Sequence, residues 1–137
     1  MFLTTVFLFQ ACPIGWSRVL DSCYRIIHNV TSRQEASDSC KSLGGYLAVV
    51  SDAQETAAIQ EFIATLGYYN KFMYIDGSDA AEEGVWRTEA GDVMTYTGMS
   101  DGEPDGNRTE NCLVMVNVFV GDVGCTWPQF VSAVCEM

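Results

Sequence analysis

The chain has 137 residues, 48% of them hydrophobic, and carries 18 acidic against 7 basic side chains, a formal net charge of −11. A chain of this length buries a core of its own, and no Pro/Gly/Ser-rich linker, internal repeat or low-complexity tract divides it, so one domain is expected. The charge balance argues against nucleic acid and anionic membrane surfaces, which both require Lys/Arg patches, and favours calcium, a mineral surface or another cationic partner.

Residues 1–9 are apolar enough for the core of a secretory signal. They lack a basic lead-in, and cleavage after Ala11 would leave Phe9 where a small residue is expected. Residues 1–11 are therefore read as a short or truncated signal peptide, with an extra edge strand as the alternative, and residues 12–137 as the domain. No stretch approaches the roughly 20 apolar residues of a membrane span, so no membrane insertion is expected. Six cysteines without a C-x-x-C pair, beside the lone histidine His28, point to three disulfides in an oxidising compartment rather than to zinc. Fifteen pairings are open from the count alone.

Ser32 and Glu35 form a candidate capping box ahead of Ala36, Cys40 and Leu43 on one helical face, and Gly44 supplies a stop. A second helix starts at Ser51 or Asp52, buries Ile59, Phe62, Ile63 and Leu66, and ends at Gly67. Strands are expected at 46–50, 73–75, 112–116 and 130–135. From 76 to 111 the chain is rich in Gly, Asp, Glu and Ser with few periodic apolar positions. A loop region that long in a small domain is usually functional.

The acids concentrate there. Glu103-Pro104-Asp105, the Glu110-Asn111-Cys112 run and the segment Gly121-Asp122-Val123-Gly124-Cys125 gather four carboxylates, Glu103, Asp105, Glu110 and Asp122, in one cysteine-framed corner. Their mutual repulsion is severe unless a hard cation sits among them, and calcium accepts oxygens from irregular, separate segments.

From Cys12 to Glu136 the chain resembles the C-type lectin domain family. The resemblance rests on Cys12-Pro13 with Gly15-Trp16, Cys23-Tyr24, Ala36, Cys40, Gly45-Tyr46-Leu47-Ala48, Tyr74-Ile75, Gly84-Val85-Trp86, Gly102-Glu103-Pro104-Asp105, Cys112, Cys125 and Ala133-Val134-Cys135-Glu136. It implies an α+β fold, two helices packed on small antiparallel sheets with a long irregular calcium-binding loop region. It also implies disulfides Cys12–Cys23, the mark of the long form, Cys40–Cys135 and Cys112–Cys125. A cis peptide bond before Pro104 and a Ca2+ ion held by Glu103, Asp105, Glu110 and Asp122, with sugar hydroxyls completing its shell, are implied in the same way.

Gly121 stands where sugar-binding relatives carry an asparagine, and Val120 where an aromatic is expected. Both residues flanking Pro104 are acids, which accept hydrogen bonds without donating any, so the site matches neither the mannose nor the galactose pattern. Calcium binding is expected to survive better than tight monosaccharide binding. Asp79 and Glu83, with Glu110 and Asn111, suggest an auxiliary ion site, and a solvated acidic loop is the alternative.

No second histidine and no Gly-x-Ser-x-Gly accompany His28, and the carboxylate pairs are better explained as metal ligands than as a glycosidase couple, so no enzyme is expected. Trp16 and Trp86 are expected in the core. Trp127 and Phe119, the latter in an apolar turn Val118-Phe119-Val120, fall near the site-bearing strands, where an aromatic could stack on a sugar, although core packing is favoured for both. Sequons begin at Asn29 and Asn107, both candidates for N-glycosylation, and a glycan at Asn107 would crowd the ion. The resemblance thus implies a secreted lectin recognising carbohydrate or glycoconjugates through calcium, as in innate immune or cell-surface recognition. The competing reading is an interaction module on the same fold that binds a protein, mineral or ice surface, with calcium structural or absent.

Overall fold

The computed structural model describes residues 11–100, 111–126 and 131–137. Both helices begin at side chains that satisfy their first free N–H groups. Helix α1, Arg33–Ser42, is capped by Ser32, whose hydroxyl accepts the Glu35 N–H at 3.0 Å. The Glu35 carboxylate reaches one residue further back than a capping box requires, taking the Thr31 N–H at 2.6 Å and its hydroxyl at 3.0 Å. Helix α2, Ala53–Thr65, starts at Asp52, the cap of the two candidates, which accepts the Glu55 N–H at 2.8 Å while Glu55 takes the N–H and hydroxyl of Ser51. Ile59 and Ile63 are fully buried, but Leu66, expected in the same stripe, is exposed just beyond the helix end.

The described residues also form seven strands: β1 Ser17–Val19, β2 Ser22–Val30, β3 Tyr46–Leu47, β4 Met73–Ser78, β5 Cys112–Val116, β6 Phe119–Val123 and β7 Val131–Glu136. They join in one mixed sheet ordered β1-β2-β7-β4-β5-β6, with β3 also paired to β7. β4 and β7 run parallel and the other pairs antiparallel. Only two residues of the expected 46–50 strand pair as a strand; Ala48 then bridges, donating to Val134 and accepting from the Asp76 N–H. The apolar turn expected at Val118-Phe119-Val120 is instead a hairpin tip at Asn117 and Val118, after which Phe119 opens β6.

Alternation along β7 divides the core. Ala133 and Cys135 face the cluster of Trp16, Ala36, Cys40, Leu47 and Tyr74 beneath α1, whereas Val134 faces Tyr24, Ile59, Ile63, Ile75 and Trp86 beneath α2. Gly45 lets the chain pass close to Trp16, whose ring would lie 2.8 Å from any Cβ there. The disulfides are Cys12–Cys23, Cys40–Cys135 and Cys112–Cys125. In the chain-entropy account the second, closing a loop with a sequence separation of 95, contributes about 4.7 kcal/mol. The third, across a separation of 13, contributes about 3 kcal/mol.

One buried polar contact ties a helix to the sheet, and another ties the end of β7 to β2 and to the segment after β3. Arg33 Nη2 meets Asp76 Oδ1 at 2.9 Å, joining α1 to β4, and the same carboxylate accepts the Glu89 N–H. Burial nevertheless raises the Asp76 pKa, outweighing the nearby guanidinium. Glu136 accepts the Val49 N–H at 3.1 Å and the Ser22 hydroxyl at 2.8 Å, and burial raises its pKa as well.

Asp76→Ala leaves the Arg33 guanidinium, 16% exposed, without its partner and is expected to lower stability by about 3 kcal/mol in urea titrations. Adding Arg33→Met to that change should recover most of the loss. Equal losses in the single and double variants would show that the pair is not what holds α1 to β4.

The raised pKa of Glu136 means that the folded chain holds this proton more tightly than the unfolded chain. Its contribution to stability is full below the ordinary value of 4.5 and is lost as pH rises through the raised value. Glu136→Gln keeps an oxygen for Val49 but does not titrate, so its stability relative to wild type should climb between about pH 4 and pH 7. A difference that stays flat, or falls, over that window contradicts the assignment.

Candidate metal and ligand site

Strand register carries three of the expected ligands onto one surface. β4 and β5 pair Ser78 with Cys112, and one step further Asp79 donates its N–H to the Asn111 carbonyl at 3.1 Å. Across the next pair Leu113 stands opposite Asp122. Asn111, two residues before Leu113, therefore lies diagonally from Asp122 on the same face. The Cys112–Cys125 bond closes this hairpin. Gly77 has a φ of +151°, and a Cβ there would overlap the Leu113 side chain, so only glycine lets the end of β4 approach the hairpin this closely.

Asp79 is 2% exposed. Its Oδ2 accepts the Gly84 N–H at 2.9 Å, folding the 79–84 loop back on itself, while its buried Oδ1 has no hydrogen-bond partner among the described residues. A carboxylate oxygen removed from water without a donor costs on the order of 1–3 kcal/mol, and a cation offsets that cost. The donor set thus fits a hard ion: a buried carboxylate oxygen beside an amide, with Asp122, also buried, on the facing strand. Glu83 is exposed on the same short loop. Among the described residues no three His, Cys, Asp or Glu side chains come together as a metal cluster.

Glu103, Asp105, Asn107, Glu110 and the peptide bond before Pro104 lie outside the described residues. The residues that flank them are fixed beside the hairpin. Ser100 exchanges two hydrogen bonds with Val120, 3.0 Å from its N–H to the Val120 carbonyl and 3.1 Å from the Val120 N–H to its hydroxyl, and Asn111 is held by Asp79. Position 121 faces the other way: Gly121 pairs with Val114, and with Val123 and Cys112 it shares the opposite face of the hairpin from Asp122.

Trp16 and Trp86 are buried as expected. Phe119 is half-buried and meets Phe72 edge-on at 6.4 Å between ring centroids, which occupies it in packing, and Trp127 lies outside the described residues. His28 bonds the Ser132 hydroxyl at 2.8 Å and Tyr68 at 3.2 Å, and partial desolvation of the ring with Lys71 nearby lowers its pKa. The Ser132 hydroxyl is fully buried within β7, and no carboxylate takes part in these bonds. The Arg33–Asp76 pair was not visible from sequence, because the strand was ended at Ile75; its signal was a charge directly after two apolar strand residues. A cleft of about 350 Å³ beside the 79–84 loop contains Arg33 and Arg87. Arg33 Nη2 is engaged with Asp76 and Arg87 Nη1 with the Gly91 carbonyl.

Residues 29–137 match the model of the Lectin C-type domain. Perlucin of Haliotis laevigata is 31% identical over 130 residues, covering 91% of this chain and 82% of that protein. The galactose-specific lectin nattectin of Thalassophryne nattereri is 30% identical over 96 residues, covering 70% and 60%. Among solved structures, the SPL-1–GlcNAc complex superposes with a TM-score of 0.79 at 20% identity, covering 95% of this chain and 97% of that one. A calcium-independent type II antifreeze protein gives 0.76 at 21% identity, covering 93% and 94%. At such identities the structural likeness concerns the fold alone. Strand order, helix placement and the match over residues 29–137 agree, and the chain belongs to the C-type lectin domain family, whose members are non-enzymatic binding domains.

Proposed function

We propose that the protein is a secreted lectin that recognises carbohydrate through a calcium ion at the β5–β6 hairpin. The observation that carries the proposal is Asp79 Oδ1, a buried carboxylate oxygen without a hydrogen-bond partner among the described residues, in register with Asn111 and Asp122. Glu103, Asp105, Glu110 and Asp122 form the principal ligand set, and Asp79, Glu83 and Asn111 the auxiliary one. Bound calcium would accept sugar hydroxyls into its shell, and the surrounding acids would take the protons those hydroxyls donate. The naming of one relative as a galactose-specific lectin, and of one structural neighbour as a GlcNAc complex, supports sugar as the ligand class. Three disulfides support an extracellular placement.

A second reading has its own support. Gly121 offers no side-chain ligand, and one structural neighbour is titled calcium-independent. On that reading the same surface binds a protein, mineral or ice face, and calcium orders loops or is absent.

Calcium should raise the thermal midpoint of the full chain relative to EDTA, by the equivalent of about 2.7 kcal/mol at a hundredfold excess over Kd. Asp79→Asn keeps an acceptor for the Gly84 N–H and removes the charge. This variant should be at least as stable as wild type in EDTA and should show a smaller calcium response. A variant that is weaker in EDTA yet responds fully to calcium would remove Asp79 from the ion site.

On arrays of galactose, mannose, GlcNAc and extended glycans, wild type should be retained in calcium and released by EDTA, and Asp122→Asn should lose retention. Retention indifferent to EDTA, or absent on every sugar while a protein or mineral surface is bound, decides for the second reading.

A further inference from the structure

We infer that Asn29 is the attachment site of an N-linked glycan, placed where it leaves the calcium and sugar site open. The inference rests on the secretory placement proposed above. β2 and β7 pair Ile27 with Ala133 and then Val30 with Val131, so His28 and Asn29 together stand opposite the single residue Ser132. This is a β-bulge, a device that re-aims a side chain out of the ladder. His28 takes the Ser132 hydroxyl. Asn29 is turned outward, exposed, with a φ of +61°.

Each residue of the sequon also has a local structural use. Asparagine tolerates a left-handed conformation better than most residues, and the Thr31 hydroxyl donates to Glu35. Neither use requires the combination. Glycine suits the backbone at position 29 at least as well, and Asn-Val-Thr is the acceptor triplet only with both residues in place. In the transfer, the Asn29 amide nitrogen bonds to the anomeric carbon of an oligosaccharide carried on a polyprenyl pyrophosphate. The bond from that carbon to the phosphate oxygen breaks, the pyrophosphate leaves with the electron pair, and an amide proton passes to base.

The parallel partner of Ser132 is Met73, at the start of β4, whereas Asp79 follows the end of that strand. Six residues of extended chain span roughly 20 Å. A glycan at Asn29 therefore stands at the far end of β4 from Asp79, beside Tyr68, which packs edge-on against His28, and the exposed Tyr69. The sequon at Asn107 belongs to the ligand-bearing segment and has no such separation in sequence.

The test uses the full chain secreted from eukaryotic cells behind a supplied signal, as wild type, Asn29→Gly, Thr31→Ser and Asn107→Gln. Release by a glycopeptide amidase in heavy-oxygen water hydrolyses the side-chain amide and converts each glycosylated asparagine to a labelled aspartate, which peptide mapping locates. The label is expected at position 29 in wild type, Thr31→Ser and Asn107→Gln. Asn29→Gly should lose one glycan step while retaining the three disulfides and an unchanged calcium-induced melting shift. Secreted wild type with three disulfides and an unlabelled Asn29 overturns the inference without touching the lectin proposal. A glycosylated Asn29 whose removal changes the calcium shift overturns the placement of the glycan away from the site.

Discussion

The last strand of the chain has to enter the middle of the sheet. All six residues of β7 are buried, and β2, β3 and β4 all pair with it, so no face or edge of the fold is complete until the C-terminus arrives. Its alternation assigns α1 to one face and α2 to the other, and Cys135 locks it to α1 through Cys40. Parallel pairing of β4 with β7 also obliges the intervening chain to cross over rather than turn back tightly. The 79–111 region and the β5–β6 hairpin are that crossing. Long connections add little closure cost beyond shorter ones, so irregular length is tolerated here at small thermodynamic expense.

The described acids that are buried fall into distinct environments. Asp76 is matched by Arg33, and Glu136 is satisfied by Val49 and Ser22. These two carboxylates have complete local explanations within the protein. Asp79 has one satisfied oxygen and one buried oxygen without a partner. In a chain of net charge −11, an additional guanidinium would have been the simplest remedy, and among the described residues none is hydrogen-bonded to that oxygen. The difference in satisfaction, rather than acidity itself, separates a ligand candidate from a structural acid.

Sequence made the helices legible because their caps and stops are local: Ser32 with Glu35, Asp52 with Glu55, and the glycines that follow. The two buried tryptophans followed from family position. β2 was not legible, because Arg25, His28 and Asn29 interrupt its apolar alternation and the bulge at Ser132 breaks its period. β6 was missed because hairpin register is a non-local property: Phe119 and Val120 read as an apolar turn until Met115 and Val116 are known to lie opposite them. At the site, sequence named Asp79, Asn111 and Asp122 as candidates. It could not reveal that Asp79 shares its carboxylate between Gly84 and an unpaired oxygen, since that depends on how the 79–84 loop closes.

The same register bears on selectivity. A sugar hydroxyl that donates its proton to a carboxylate must accept one from elsewhere, and an acid supplies none at neutral pH. Position 121, where an amide would complete the familiar pattern, points to the side of Val114 and Val123, away from Asp122. An asparagine introduced there would enter that packed face unless the strand end rotates, so its absence is not simply a gap beside the ion. Asn111 is the amide that shares a surface with Asp79 and Asp122. On the proposed lectin reading, recognition at this hairpin would be biased toward ligands that supply their own donors across several residues, such as extended glycans, over a single sugar held by paired vicinal hydroxyls.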